Sequence, residues 1–193
     1  LEATIEALGD ELKIAVVEGV LETENDAERI RARGVPAVQI TTGPACHLDA
    51  HMVHDALHDM NLDGIDILFI ENVGNLVCPA SFDLGHHANV TLLSVTEGDD
   101  KPAKYPVMFR AADLVVLSKC DFLDMIDDFD PVKAERHVRE LANAAPVLNL
   151  SVRRPETLET WLDWLRDSVE ALRAGHSLSP KVQQEGVAVH AGS

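Results

Sequence analysis

Apolar, β-rich runs alternate with amphipathic ones along this chain, and no other feature restricts its fold so tightly. Lys13 to Gly19, Ala37 to Thr42, Asp66 to Asn72, Val90 to Glu97, Leu114 to Asp121 and Val147 to Val152 read as strands buried on both faces. Between them, Glu22 to Arg33, Cys46 to Met60, Pro102 to Arg110, Pro131 to Asn143 and Thr157 to Ala174 read as helices, several opened by acidic or proline signals. The alternation predicts an α/β fold with a mostly parallel sheet flanked by helices. A length of 193 residues, 46% of them hydrophobic, favours one domain. That domain is expected over 1–174, and the aperiodic stretch 175–193 is expected to be a disordered tail.

Ligands of such sheets bind at the carboxyl ends of the strands. Two segments there carry soft donors: Thr42-Gly43-Pro44-Ala45-Cys46-His47-Leu48-Asp49-Ala50 and Glu71-Asn72-Val73-Gly74-Asn75-Leu76-Val77-Cys78-Pro79. Thiolate and imidazole select nickel, zinc or copper over magnesium and calcium. A site using Cys46, His47 and Cys78 together requires the fold, or a second copy of the chain, to join them. Other readings stand beside this one. Cys78 also fits a buried structural cysteine, and Cys46 with Cys78 fits a reversible dithiol. On a helix from Cys46 to Met60, His47, His51, His54 and His58 form a stripe opposite the apolar face, and a solvated surface is the better reading of the last three. Asp49 fits either an acceptor orienting His47 or an acid of the first helical turn.

Composition narrows the partners. A net charge of -17 disfavours nucleic acid and anionic membranes, which attract basic surfaces. No apolar run approaches the ~18 residues of a membrane span. Three cysteines without a framework spacing imply reduced thiols, and cytoplasm is the expected location.

Further strand ends carry nucleotide chemistry. Ser118-Lys119-Cys120-Asp121 resembles the Asn-Lys-x-Asp element with which GTPases read guanine, serine standing for asparagine. In that element the carboxylate accepts the hydrogens of the base and the lysine stem covers the ring, which makes Lys119 and Asp121 base readers. Glu71-Asn72-Val73-Gly74 resembles a switch II element, with Gly74 able to present its amide to a γ-phosphate. Ser151 sits where such proteins contact the guanine oxygen through the backbone.

The resemblance then becomes specific. Thr23 with Asn25 to Ile30, the runs Thr42 to Ala50 and Ile70 to Ala80, Phe82 to Gly85, Thr96 to Pro102 and Trp161 to Leu165 are similar to the HypB family. These are nickel-insertion GTPases of [NiFe]-hydrogenase maturation, of the P-loop GTPase class. The resemblance implies a nickel or zinc site of Cys46, His47 and Cys78 at a homodimer interface, and a switch role for Glu71 and Gly74. It implies GTP and magnesium as cofactors, with a hydrogenase large-subunit precursor and a small zinc-binding metallochaperone as partners. The Cys-Pro-His motif of the related urease GTPase is absent. Two departures stand out. No G-x-x-x-x-G-K-[ST] loop occurs in the chain, so the first strand and that loop are expected upstream of Leu1. Without them hydrolysis is not expected, and a nickel or zinc carrier is the alternative. Val20 follows Gly19 where the family has aspartate near the magnesium; Glu18, Glu22 and Asp26 are nearby acids, none an obvious substitute.

Overall fold

The computed structural model describes residues 1–21, 25–43, 45–79 and 82–178. The expected helix start at Glu22, Thr23 of the family resemblance, Pro44, Ala80 and the tail from Ser179 onward lie outside the described residues. The chain divides into two units, Leu1–Gly85 and His86–Ser193.

In the first unit, α1 (Glu2–Leu8) precedes β1 (Ile14–Val20), α2 (Asn25–Arg31), β2 (Ala37–Thr41), α3 (Ala50–His58) and β3 (Ile67–Glu71). The strands form a parallel sheet in the order β2-β1-β3. The register sets Val20 opposite Thr41 and Glu18 opposite Glu71, so the carboxyl ends of all three strands lie together. Strand β1 is buried along almost its whole length, whereas β2 and β3, each with one strand neighbour among the described residues, are half-buried. The expectation of burial on both faces therefore holds for the middle strand alone.

The second unit holds β4 (Val90–Ser94), α4 (Lys101–Lys104), α5 (Pro106–Ala111), β5 (Leu114–Ser118), α6 (Pro131–Glu140), β6 (Val147–Leu150) and α7 (Pro155–Arg173). Its sheet is parallel too, in the order β4-β5-β6, again with the middle strand the most buried. The single helix expected from Pro102 to Arg110 is two. Pro106 has no amide hydrogen to donate and restricts the residue before it, so Tyr105 leaves the helical region at φ -123° and ψ 59°. Helix α6 starts where Asp130 accepts the Val132 amide at 2.9 Å, with Pro131 in the first turn. Trp161, Leu162 and Leu165 bury one face of α7, with Trp161 stacked on Trp164.

Two strands, β4 and β5, end three residues before their apolar runs do. The β4 strand ends at Ser94, whose hydroxyl bonds Thr96 at 2.8 Å and turns the chain into a short 3-10 helix. The β5 strand ends at Ser118, because Lys119 takes a left-handed conformation with φ 59°.

Candidate functional site

The loop after β2 is shaped by small, local contacts. Gly43 takes φ +58°, a conformation that favours glycine. The buried Thr42 hydroxyl donates to the Ala45 carbonyl at 2.6 Å. Asp49 caps α3 by accepting the Met52 amide at 2.9 Å, so the helix begins at Ala50. The expected helical span from Cys46 is thereby corrected: Cys46, His47 and Leu48 are loop residues, and His47 is not part of the histidine stripe on α3. The fully buried Leu48 anchors the loop against β1. A Cβ placed on Gly19 would lie 2.7 Å from the Leu48 Cγ, so only glycine leaves room for that anchor.

The loop after β3 comes to meet it through two asparagines. Asn72 Oδ1 accepts the Leu48 amide at 2.9 Å and its neighbour's, Val73, at the same distance. The Asn75 carboxamide donates to the Cys46 carbonyl, while its Oδ1 accepts the Cys78 amide at 2.9 Å and the Val77 amide at 3.0 Å. The Asn75 side chain thus holds backbone groups of both cysteines, and Asn72 ties the two loops a second time.

The result is a convergence of donors. The ligand atoms of Cys46, His47 and Cys78 lie within 4.8 Å of one another, each residue half-buried. Cys46 Sγ is 3.8 Å from His47 Nδ1. Phe82 stacks on the His47 ring, centroids 3.8 Å apart and planes 17° from parallel. A hydrogen bond with the Cys46 thiol pushes the Cys78 thiol above its ordinary range, and burial adds to the effect. Glu71 and Gly74, both exposed, occupy the end of β3 and the loop between it and Asn75. Glu18 opposite Glu71 is 4% exposed, and the two line a cavity with Leu1, Glu2 and Ile30.

In the second unit, Lys119 and Asp121 follow β5 and Ser151 follows β6. Ser151 donates its hydroxyl to Asp121 Oδ1 at 2.6 Å. That bond is the main reason the Asp121 carboxyl lies below the usual range; burial opposes it, and Arg153 and Arg154 assist. The Asp121 side chain is 13% exposed, with Arg153 Nη1 3.8 Å away. The Ser151 amide is itself held by Thr157 Oγ1 at 2.8 Å. Cys120 is buried, and burial raises its thiol pKa, as befits a structural cysteine.

Reading the sequence alone identified the three donors but not the residues that position them. Asn72, Asn75 and Phe82 act over long sequence separations, and periodicity carries no trace of that. The one local signal was Asn75, three residues before Cys78, the spacing at which a side-chain carbonyl reaches a following amide.

Known proteins place the chain in a family. Residues 1–149 match the family model described as CobW/HypB/UreG, nucleotide-binding domain. A hydrogenase maturation factor HypB of Azotobacter chroococcum mcd 1 is 51% identical over 184 residues, covering 90% of this chain and 59% of the relative. The chain thus spans well under two thirds of that relative's length. A probable hydrogenase maturation factor HypB of Methanocaldococcus jannaschii is 43% identical, with 90% of this chain and 78% of the relative covered. The crystal structure of HypB from Helicobacter pylori in complex with nickel superposes with a TM-score of 0.82 at 43% identity, covering 90% of this chain and 82% of that one. With a family model spanning residues 1–149 and a relative 43% identical over 78% of its own length, this chain belongs to the HypB family of hydrogenase maturation factors.

Proposed function

We propose that the chain is a nucleotide-controlled nickel-handling module that delivers nickel to the [NiFe]-hydrogenase precursor. Cys46, His47 and Cys78 hold a nickel or zinc ion, and a second copy of the chain completes the ligand shell. The observation that carries this reading is the Asn75 bridge, since it joins Cys46 to Cys78 and lies one residue beyond Gly74. A γ-phosphate contact that orders Glu71 to Asn75 would move both thiols as a unit, the usual form of a switch coupled to ligand geometry. Two thiolates and an imidazole suit a borderline metal, and the Helicobacter protein solved with nickel supports nickel as the cargo. Three donors leave the shell incomplete, and two-fold pairing supplies the remainder. Family membership points to a small zinc-binding metallochaperone as co-partner, and the free cysteines to a reducing compartment such as the cytoplasm.

On the nucleotide side, Asp121 accepts the guanine hydrogens, Lys119 covers the ring, and Ser151 orients the carboxylate. Glu71 and Gly74 serve the phosphate and magnesium end. The phosphate lysine and the hydroxyl ligand of magnesium belong to a G-x-x-x-x-G-K-[ST] loop, so hydrolysis is to be measured on a chain that carries one.

Cys46→Ala, His47→Ala and Cys78→Ala are each expected to weaken nickel binding, and the two cysteine changes also to weaken metal-promoted dimers. Affinity should rise with pH, because thiols lose protons on binding. Equilibrium dialysis against a chelator, paired with light scattering, reads both effects. Full nickel affinity in Cys78→Ala would overturn the proposed site, and a reversible Cys46–Cys78 disulfide indifferent to nickel would favour the dithiol reading.

A further inference from the structure

Helix α3 carries a second constellation that the cysteine site does not use. His54 and His58 are four residues apart, and their Nε2 atoms face each other at 3.1 Å. The ring centroids are 4.6 Å apart, with the planes 86° from parallel. Both residues are exposed, while Val53 and Ala56 bury the other side of the helix. The Asp49 cap and that buried face fix the backbone, so the two rings project from a rigid turn.

We propose that His54 and His58 chelate a divalent transition-metal ion of the nickel, zinc or copper class through their Nε2 atoms, with water filling the other positions. The separation carries the argument. For metal–nitrogen bonds of about 2.05 Å, two ligands at a right angle stand about 2.9 Å apart and two tetrahedral ligands about 3.4 Å. The observed 3.1 Å falls between these values and subtends roughly 98° at such a metal. The pair therefore has a chelating bite without rearrangement of the helix.

In the metal-free protein a hydrogen bond joins the two nitrogens, so one ring holds its proton on Nε2. Metal capture displaces that proton, through solvent, to the Nδ1 of the same ring, and each ring then offers a lone pair. Asp55, paired with His51 at 3.4 Å, adds negative charge beside the rings. The chain's charge of -17 raises the local concentration of cations. Two nitrogen donors without thiolate bind more weakly than the cysteine cluster, so this site fills second.

The test is a nickel(II) titration of the full chain by calorimetry, with thiolate-to-metal charge transfer followed by absorption. Two classes of site are expected in the wild-type chain. His54→Ala and His58→Ala should each weaken the lower-affinity class tenfold or more and leave the charge-transfer band intact. Cys46→Ala with Cys78→Ala should abolish the band and leave that weaker class unchanged. Helix content by circular dichroism should stay constant in every variant, because the substituted histidines are exposed. A single class in the wild-type chain, or unaltered titrations in both histidine variants, would overturn the second site. Loss of the band's dependence on cysteine would instead overturn the thiolate site.

Discussion

The Asn75 carboxamide reaches the Cys46 carbonyl across 29 residues of sequence, and its oxygen simultaneously holds the Cys78 amide. Asn75→Ala should lower nickel affinity about 10- to 100-fold, the usual effect of losing a side chain that orients ligands. Asn75→Asp keeps the acceptor for Cys78 but not the donor to Cys46, so an intermediate loss is expected. Chelator competition measures both. Wild-type affinity in the alanine variant would show that the loops meet without the bridge.

Gly19→Ala should disturb the same site from below. The added Cβ meets the side chain of a fully buried leucine, which has no room to retreat, and overpacking of this kind costs about 1–3 kcal/mol. Because Leu48 follows His47, metal affinity should fall alongside stability. Denaturant unfolding and nickel titration of one preparation check the pairing; a variant as stable as the parent would mean the strand can shift.

Asp121 should read the base only while ionised. Its carboxyl lies below the usual range chiefly because Ser151 donates to it, so the ionised form persists as pH falls and is lost only once pH drops through the lowered value. Ser151→Ala removes that donor, and the acid limit of guanine-nucleotide binding should move to higher pH. Asp121→Asn should weaken binding at neutral pH by roughly ten- to a hundredfold, since an amide cannot accept both base hydrogens. Fluorescent GTP titrations on a chain carrying the phosphate loop give both numbers. Unchanged affinity in Asp121→Asn would remove this loop from the base site.

The Asp99–Lys133 pair makes an acid-stability prediction. Burial works to raise the Asp99 carboxyl, but the Lys133 bond at 2.8 Å and the Asp130 amide outweigh it, and the net position is low. A depressed carboxyl stabilises the fold above its unfolded pKa, and the contribution fades as pH falls through the folded value. Lys133→Met should therefore cost about 1–2 kcal/mol near neutral pH and little in strong acid. Urea unfolding at several pH values checks it; a constant difference between variant and parent would assign the effect to packing.

Burial left its mark on the sequence, whereas positioning did not. Strands β1 and β5 were readable because their middle places bury nearly every side chain, and all but Glu18, Gly19 and Ser118 are apolar. Strand ends were overrun where a buried residue stands just past the ladder, as Val95 does next to Ser94 and Cys120 two residues beyond Ser118. The three converging donors were legible as residue types at strand ends. His47 was misassigned to a helix because histidine polarity fits a helical stripe, although Asp49 is a recognisable cap. Asn72, Phe82, the Gly19–Leu48 contact and the reach of Asn75 to Cys46 were not legible, since each depends on residues brought together only by the completed fold.

Phe82 has a kinetic consequence for the proposed nickel site. Its ring lies flat on the His47 imidazole and removes much of that side chain's rotational freedom before any ion arrives. Capture then carries a smaller entropic penalty, because the donor is already oriented when the chain has folded. Escape is affected in the opposite sense: the imidazole cannot swing away until the phenyl slides off it. An ion held by His47 would then stay for a time set partly by the Phe82 ring, which offers no ligand of its own.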